Sequence, residues 1–189
     1  MDIPDRILIV GLGKTGIAVA KFLAAQKKKI TITDIKPQDA LSHALSELKG
    51  IDFKATFGNH NREDFLKNEM IVLSPGVDSE MPLILEAKKK GIKVIGEIEL
   101  ASSFVTEPII AITGSNGKTT VTTLLGEIFK AQFKDVFVGG NIGNPLINYI
   151  MGGKKAKFVI LEISSFQLET IYKFHPYISV LLNITEDHL

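Results

Sequence analysis

No cysteine occurs in the 189 residues, so neither a disulfide framework nor a thiolate metal site is available to the fold. Charge of one sign is lacking too. The 22 lysines and arginines face 21 aspartates and glutamates, a formal net charge of +1. That leaves no basic field of the kind a nucleic-acid binder needs. Apolar runs are short, and none approaches the ~20 residues that span a bilayer. The first residues, with Asp2, Pro4, Asp5 and Arg6, lack the apolar core of a secretory signal. The expectation is a cytoplasmic protein with no membrane insertion and no nucleic-acid partner. Asn183-Ile-Thr185 fits a glycosylation sequon but is set aside for want of such a signal. Repeats, low-complexity tracts and heptads are absent, and no feature fixes an oligomeric state, so a monomer is the default.

What is present is the composition of a folded globular chain, 45% hydrophobic and 23% charged. Apolar segments alternate between strand and helix periods. Strands are expected at 6–10, 30–33, 70–73, 93–95, 109–113, 136–138, 158–162 and 178–183. Several are unbroken Ile/Val/Leu runs, as in parallel sheets covered on both faces. Helices are expected at 16–25, 39–48, 81–90, 118–130 and 167–173, linked through right-handed crossovers. A helix-like segment at 97–104 gives way to Val-Thr-Glu-Pro before a fresh strand, which places a boundary near 102–108. The expected fold is α/β: a Rossmann-like parallel-sheet domain over 1–106, then a truncated P-loop α/β ATPase domain over 107–189.

The most informative stretch is Ile109-Ile-Ala-Ile-Thr-Gly-Ser-Asn-Gly-Lys-Thr-Thr120. An apolar strand enters a Gly-Ser-Asn-Gly turn, and a helix leaves it. Such a turn aims backbone N–H groups and the positive end of a helix at one point, where a polyphosphate fits. Gly114, Ser115, Asn116 and Gly117 would form the cradle and Lys118 would reach the outer phosphates. Thr119 or Thr120 would help hold Mg²⁺. Ile112 stands where the common P-loop has its first glycine, so the match is to a shorter form. A plain strand-to-helix turn with a solvated lysine is the alternative.

Ile7-Leu-Ile-Val-Gly-Leu-Gly-Lys-Thr-Gly16 is a full G-x-G-x-x-G between strand and helix. Gly11 would make the tight turn, Gly13 would admit a phosphate, and Gly16 would let helix and strand pack. Asp34, at the end of the second strand, could accept hydrogen bonds from a ribose, which by itself suggests NAD. Ser74-Pro-Gly-Val77 lies on the same rim, as a ligand loop or simply a proline–glycine turn. Residues 139–145 form a third loop, with Asn141 its best polar handle.

Phe158-Val-Ile-Leu-Glu162 ends an apolar strand in a carboxylate that could support Mg²⁺, or be an ordinary acidic strand end. Ser164 and Gln167 fit a capping box, and Ser164 could also meet a ligand. His188 stands at the same expected rim as a possible metal ligand, though a lone histidine is more often a packing residue. His43, His60 and His175 have no comparable context.

The ordered set GLGKTG, SPGV, GEIEL, TGSNGKTT, GGNIGNP, LEISSFQLE and NITEDHL resembles the Mur ligases of bacterial peptidoglycan synthesis, from Ile7 to Leu189. Within them it most resembles the branch that adds D-glutamate to UDP-N-acetylmuramoyl-L-alanine. The resemblance implies an ATP- and Mg²⁺-dependent amide-forming ligase working through an acyl phosphate. It implies that residues 114–120 hold ATP and that Thr119, Glu162 and His188 serve magnesium, with Lys118, Glu162 and His188 catalytic. Gly13, Thr15, Gly16, Asp34, Lys36, Ser74, Gly76, Asn141 and Ser164 would meet the UDP-muramoyl substrate, which reassigns the glycine loop from NAD to UDP. The family's carbamylated lysine beyond the histidine, and its third domain, are not in these residues. The expectation is therefore an inactive piece of the enzyme that binds nucleotide weakly at most. Rival readings are another Mur-type or folylpolyglutamate-type ligase, an NAD-dependent oxidoreductase, and a nucleotide switch. A GTP switch would carry an Asn-Lys-x-Asp element, and none is present.

Overall fold

The computed structural model describes residues 2–185. His188 lies outside them. Within them the chain builds two all-parallel sheets. The first has strands β1 (Arg6–Val10), β2 (Lys29–Asp34), β3 (Lys54–Phe57), β4 (Met70–Leu73) and β5 (Lys93–Gly96), in the order β3-β2-β1-β4-β5. The second has β6 (Ile109–Thr113), β7 (Val136–Gly140), β8 (Phe158–Glu162) and β9 (Ile178–Leu181), in the order β7-β8-β6-β9. Helices α1 (Lys14–Ala25), α2 (Ser42–Glu47), α3 (Arg62–Lys67), α4 (Pro82–Lys89) and α5 (Glu97–Ser102) belong to the first sheet. Those of the second are α6 (Lys118–Gln132), α7 (Leu146–Met151) and α8 (Ser165–Leu168).

Alternation along the strands sorts their side chains into three layers. Leu8, Val10, Ile71 and Leu73 face Phe65 of α3 and Ile84 and Ala87 of α4. The opposite set, Ile7, Ile9, Ile32 and Val72, packs with α1 and α5 into a core that continues without a break into the second sheet. There it takes in Leu146 and Ile147 of α7 and Ala111, Val159 and Leu161. On the far face of the second sheet Ile110, Ile112 and Ile160 meet Val121, Leu125 and Phe129 of α6. The two sheets thus share one buried layer.

Several elements depart from the sequence expectation, each for a local reason. β3 is an edge strand with Lys54 and Ala55 exposed, so it carries no apolar alternation to read. α3 and α7 have six residues each, too few to show a helical period. The helix expected at 39–48 divides into a 3-10 turn (Gln38–Leu41) and α2. That expected at 167–173 stops at Leu168: the N–H groups of 169–171 still bond within the turn, but those of 172–174 leave it.

They are taken by α5. Glu99, 1% exposed, accepts the N–H groups of Tyr172, Lys173 and Phe174 at 2.9–3.1 Å. Glu97, 2% exposed, accepts the Ile147 N–H at 2.6 Å at the start of α7. A Cβ on Gly96 would lie 2.3 Å from the Thr170 hydroxyl, so the segments meet as closely as glycine allows. The Ser79 hydroxyl donates to Glu169 at 2.9 Å, and the Lys14 ammonium to the Gly143 carbonyl.

Burial pushes the Glu97 carboxyl up to about 7, against the opposing pull of the Ile147 and Leu146 amides. The folded protein therefore holds this proton more tightly than the unfolded chain does. The stability it contributes is complete below pH ~4.5 and is lost as pH rises to about 7, a loss of about 3 kcal/mol. In urea denaturation at pH 5 and pH 8, Glu97→Gln should abolish most of that fall. An unchanged slope would show that the carboxyl is not buried in this way.

Candidate nucleotide-binding cleft

The carboxyl ends of both parallel sheets open on one side, where the motif loops converge. In the first sheet, Gly11 takes φ +89° and donates its N–H to the Thr33 carbonyl at 2.8 Å. A Cβ on Gly16 would sit 2.1 Å from the Gly11 carbonyl oxygen, so α1 can approach the loop only through glycine. Around Gly13, by contrast, nothing lies within 4 Å of a Cβ, and the backbone there is open to a ligand. The Ser74 hydroxyl donates to the Gly11 carbonyl at 2.8 Å, tying the two loops together. Asp34 serves the same loop. Its carboxylate accepts the Leu12 N–H at 2.7 Å and the Lys36 N–H at 2.9 Å.

In the second sheet β6 enters the turn through Gly114 (φ +143°) and leaves through Gly117 (φ +84°), the residue before α6. The Lys118 ammonium folds back across the turn and donates to the carbonyls of Gly114 and Ser115 at 2.6 and 2.9 Å. Thr119, rather than Thr120, faces the neighbouring strand. Its hydroxyl donates to Glu162 at 2.8 Å, while the Asn141 amide donates to the other Glu162 oxygen at 2.8 Å. Glu162 is 2% exposed, and Thr120 is exposed on the first turn of α6. Ser164 caps α8 in a full capping box with Gln167.

The expected anion cradle spans Gly114, Ser115, Asn116 and Gly117, and two of its N–H groups have partners elsewhere in the chain. The Ser115 N–H donates to the Asn183 carbonyl at 3.0 Å and the Asn116 N–H to the Asn183 side-chain oxygen at 2.9 Å. Asn183 returns a bond to the Asn116 carbonyl at 3.0 Å. Both positions are thus held by the segment after β9, which ends at Leu181 opposite the last residue of β6. The N–H groups that open α6 are of the kind a helix cannot satisfy internally.

A cavity of about 630 Å³ is lined by Gly114, Lys118, Asn141 and Ser164 of the second sheet and by Pro75 and Gly76 of the first. A smaller one of about 210 Å³ is lined by Gly13, Thr15, Ser74 and again Pro75 and Asn141. The two adjoin through those shared residues. Asp34 and Lys36 line neither. A larger hollow of about 1070 Å³, around Lys28 and Lys54, lies at the opposite rim and holds none of the motif residues.

The residues fit Mg²⁺ and a polyphosphate. Glu162 offers a buried carboxylate whose hydrogen-bond partners are uncharged, and Thr119 adds a hydroxyl oxygen. Among the described residues no cluster of three or more His, Asp or Glu could hold a metal by itself. Magnesium bound through one or two protein oxygens plus phosphates and water is its usual state in such sites. Sequence reading missed Glu97, Glu99, Lys14 and the role of Asn183. Two acids two apart in the apolar run GEIEL were the available signal for the first pair.

The loop that presents Asn141 is forced by glycine. Gly140 takes φ +96°, and a Cβ there would lie 2.3 Å from the Glu162 carbonyl oxygen. Gly140→Ala should therefore cost about 2–4 kcal/mol, read as a fall of roughly 5–10 °C in the thermal midpoint. A midpoint within 1–2 °C of the parent, roughly the size of an ordinary surface substitution, would contradict this packing.

Comparison with known proteins agrees with this geometry. Residues 5–96 match the family described as Mur ligase MurD-like, N-terminal domain, and residues 112–189 match the Mur ligase middle domain. The UDP-N-acetylmuramoylalanine--D-glutamate ligase of Geobacter metallireducens is 54% identical over 190 residues, which cover 100% of this chain and 42% of that protein. The enzyme of the same name from Geotalea daltonii is 52% identical over 184 residues, covering 97% of this chain and 41% of the relative. The chain thus spans about two-fifths of the length of these curated relatives. Among solved structures, UDP-N-acetylmuramate:L-alanyl-gamma-D-glutamyl-meso-diaminopimelate ligase from Neisseria meningitides is similar with a TM-score of 0.57 at 18% identity. It covers 98% of this chain and 62% of that one, a likeness of fold. The cleft geometry and both domain matches agree: the chain belongs to the Mur ligase family.

Proposed function

We propose that this chain holds the nucleotide-sugar and ATP sides of a cytoplasmic ligase that joins D-glutamate to UDP-N-acetylmuramoyl-L-alanine. The observation that carries the reading is the pair of adjoining cavities. One is floored by the first glycine loop and the other by Lys118 and the start of α6, and they meet at Pro75 and Asn141. A long substrate with a nucleotide at one end and a carboxylate at the other could lie along such a path. Its reacting end would then rest beside the terminal phosphate of ATP.

The chemical difficulty is that a phosphate and a carboxylate, both anions, must come together. The Lys118 ammonium, now resting on two carbonyls, can turn to the outer phosphates at the cost of two hydrogen bonds. The N–H groups opening α6 add fixed positive potential. Magnesium, when bound by Glu162 and Thr119, would supply further neutralisation of the phosphate oxygens. Preorganised contacts of this type are each worth roughly 3 kcal/mol of barrier. Gly13 and Thr15 are assigned to the diphosphate side, with Asp34 and Gly16 shaping that loop and Lys36 at its margin. Asn141, Ser164, Ser74 and Gly76 are assigned to the sugar and its appended carboxylate. His188 keeps its proposed part in metal binding, and no described residue is assigned to D-glutamate. The glycine loop is proposed for UDP in preference to NAD because its small cavity opens on the ATP cleft.

Titration calorimetry on one preparation tests the assignment. Lys118→Ala should weaken Mg·ATP at least tenfold, the loss of a charge-assisted contact. UDP-N-acetylmuramoyl-L-alanine should be held within about twofold of the parent, since uninvolved sites change little. NADH should not compete with it. Equal weakening of both ligands, or displacement of the UDP compound by NADH, would overturn the reading.

A further inference from the structure

The buried carboxylates of α5 touch neither cavity that carries the proposed chemistry, yet one of them ends a chain of contacts that reaches it. β7 runs into a loop that closes on itself, with the Gly140 N–H donating to the Asn144 carbonyl at 2.9 Å. Within the loop the Asn141 N–H donates to the Glu162 carbonyl at 2.8 Å, and its side chain to the Glu162 carboxylate at 2.8 Å. The loop has almost no slack. A Cβ on Gly139 would meet the Asn144 oxygen at 2.2 Å, and one on Gly140 would meet the Glu162 oxygen at 2.3 Å. Directly after it, Pro145 leads into α7, whose Ile147 N–H is received by Glu97 of the other sheet. The exit of the loop is thereby fixed to α5.

We propose that Glu97 is a positioning residue for Glu162: by holding the start of α7 it sets the 140–145 loop, and through Asn141 the orientation of the carboxylate offered to magnesium. The metal part of this inference rests on the proposed function. The positioning part stands on the contacts alone. No competing charge faces Glu97 from α7, which has no charged residue. On α1, Lys14 is given to Gly143 and Lys21 to Glu47. Glu99, two residues on, serves as an internal control. It is as deeply buried and also receives backbone N–H groups, but those of 172–174, beyond α8.

The experiment compares Glu97→Ala, Glu97→Gln and Glu99→Gln in the 189-residue chain by amide hydrogen exchange and by ATP titration with and without Mg²⁺. Glu97→Ala should speed exchange in 139–147 at least tenfold and leave 6–10 unchanged, a local loosening. It should reduce the affinity gain that Mg²⁺ gives ATP by about fivefold, with metal-free ATP binding held within twofold. Glu97→Gln keeps an oxygen for the Ile147 N–H and should restore both readings to within twofold of the parent. Glu99→Gln should speed exchange only near 171–175. If Glu97→Ala does not fold, Glu97→Asp, which withdraws the carboxylate by one methylene, carries the same comparison. Unchanged exchange in 139–147, or an equal loss of the Mg²⁺ gain in Glu99→Gln, would overturn the proposal. Should the parent chain bind no ATP, the proposed function fails, while the exchange readings still decide the positioning role.

Discussion

A carboxylate removed from water must find donors or keep its proton, and in this molecule three of them sit where the two sheets and their loops meet. Glu97 and Glu99 leave the first sheet on one short helix and find backbone N–H groups of the second. Glu162 ends the strand beside the turn between Gly114 and Gly117 and finds a hydroxyl and an amide. Apolar packing of α1, α5 and α7 brings the sheets together but is indifferent to small sliding. The carboxylate contacts are directional, and they select one register.

That register matters because both sheets are parallel throughout. Parallel strands place every carboxyl end, and so every loop with ligand-binding potential, on one rim. Two such rims become one cleft only when the sheets are held with their open sides turned alike. The shared core of Ile9, Leu146 and Leu161 supplies the contact, and the α5 carboxylates supply the angle. The consequence is a continuous path between the two glycine-rich loops, with Asn141 common to both of its parts.

Much of this was legible in the sequence where a residue type has a single physical use. Gly16 and Gly117 mark a close approach and a left-handed turn that other residues cannot adopt. The unbroken apolar runs of β1, β4, β6 and β8 announce strands covered on both faces. Ser164 and Gln167 spell their capping box in order. Where residues act through distant partners the reading weakened. Asn183 looked like the end of a strand and an idle sequon, yet it holds Ser115 and Asn116. Edge strand β3 and the six-residue α7 were too short or too polar to carry a period.

The linear order of residues by itself determined the α/β class, the two glycine-loop turns, the lysine and threonine after the second, and the acid at the end of β8. Each of these is written within a dozen neighbouring residues, at the range over which backbone sterics and side-chain period operate. Only the tertiary structure decided that Thr119 rather than Thr120 meets Glu162, that Asn183 takes the N–H groups of Ser115 and Asn116, and that Glu97 and Glu99 join the sheets. Those outcomes depend on groups dozens of residues apart competing for the same few donors, and burial settles that competition only once the whole chain is packed.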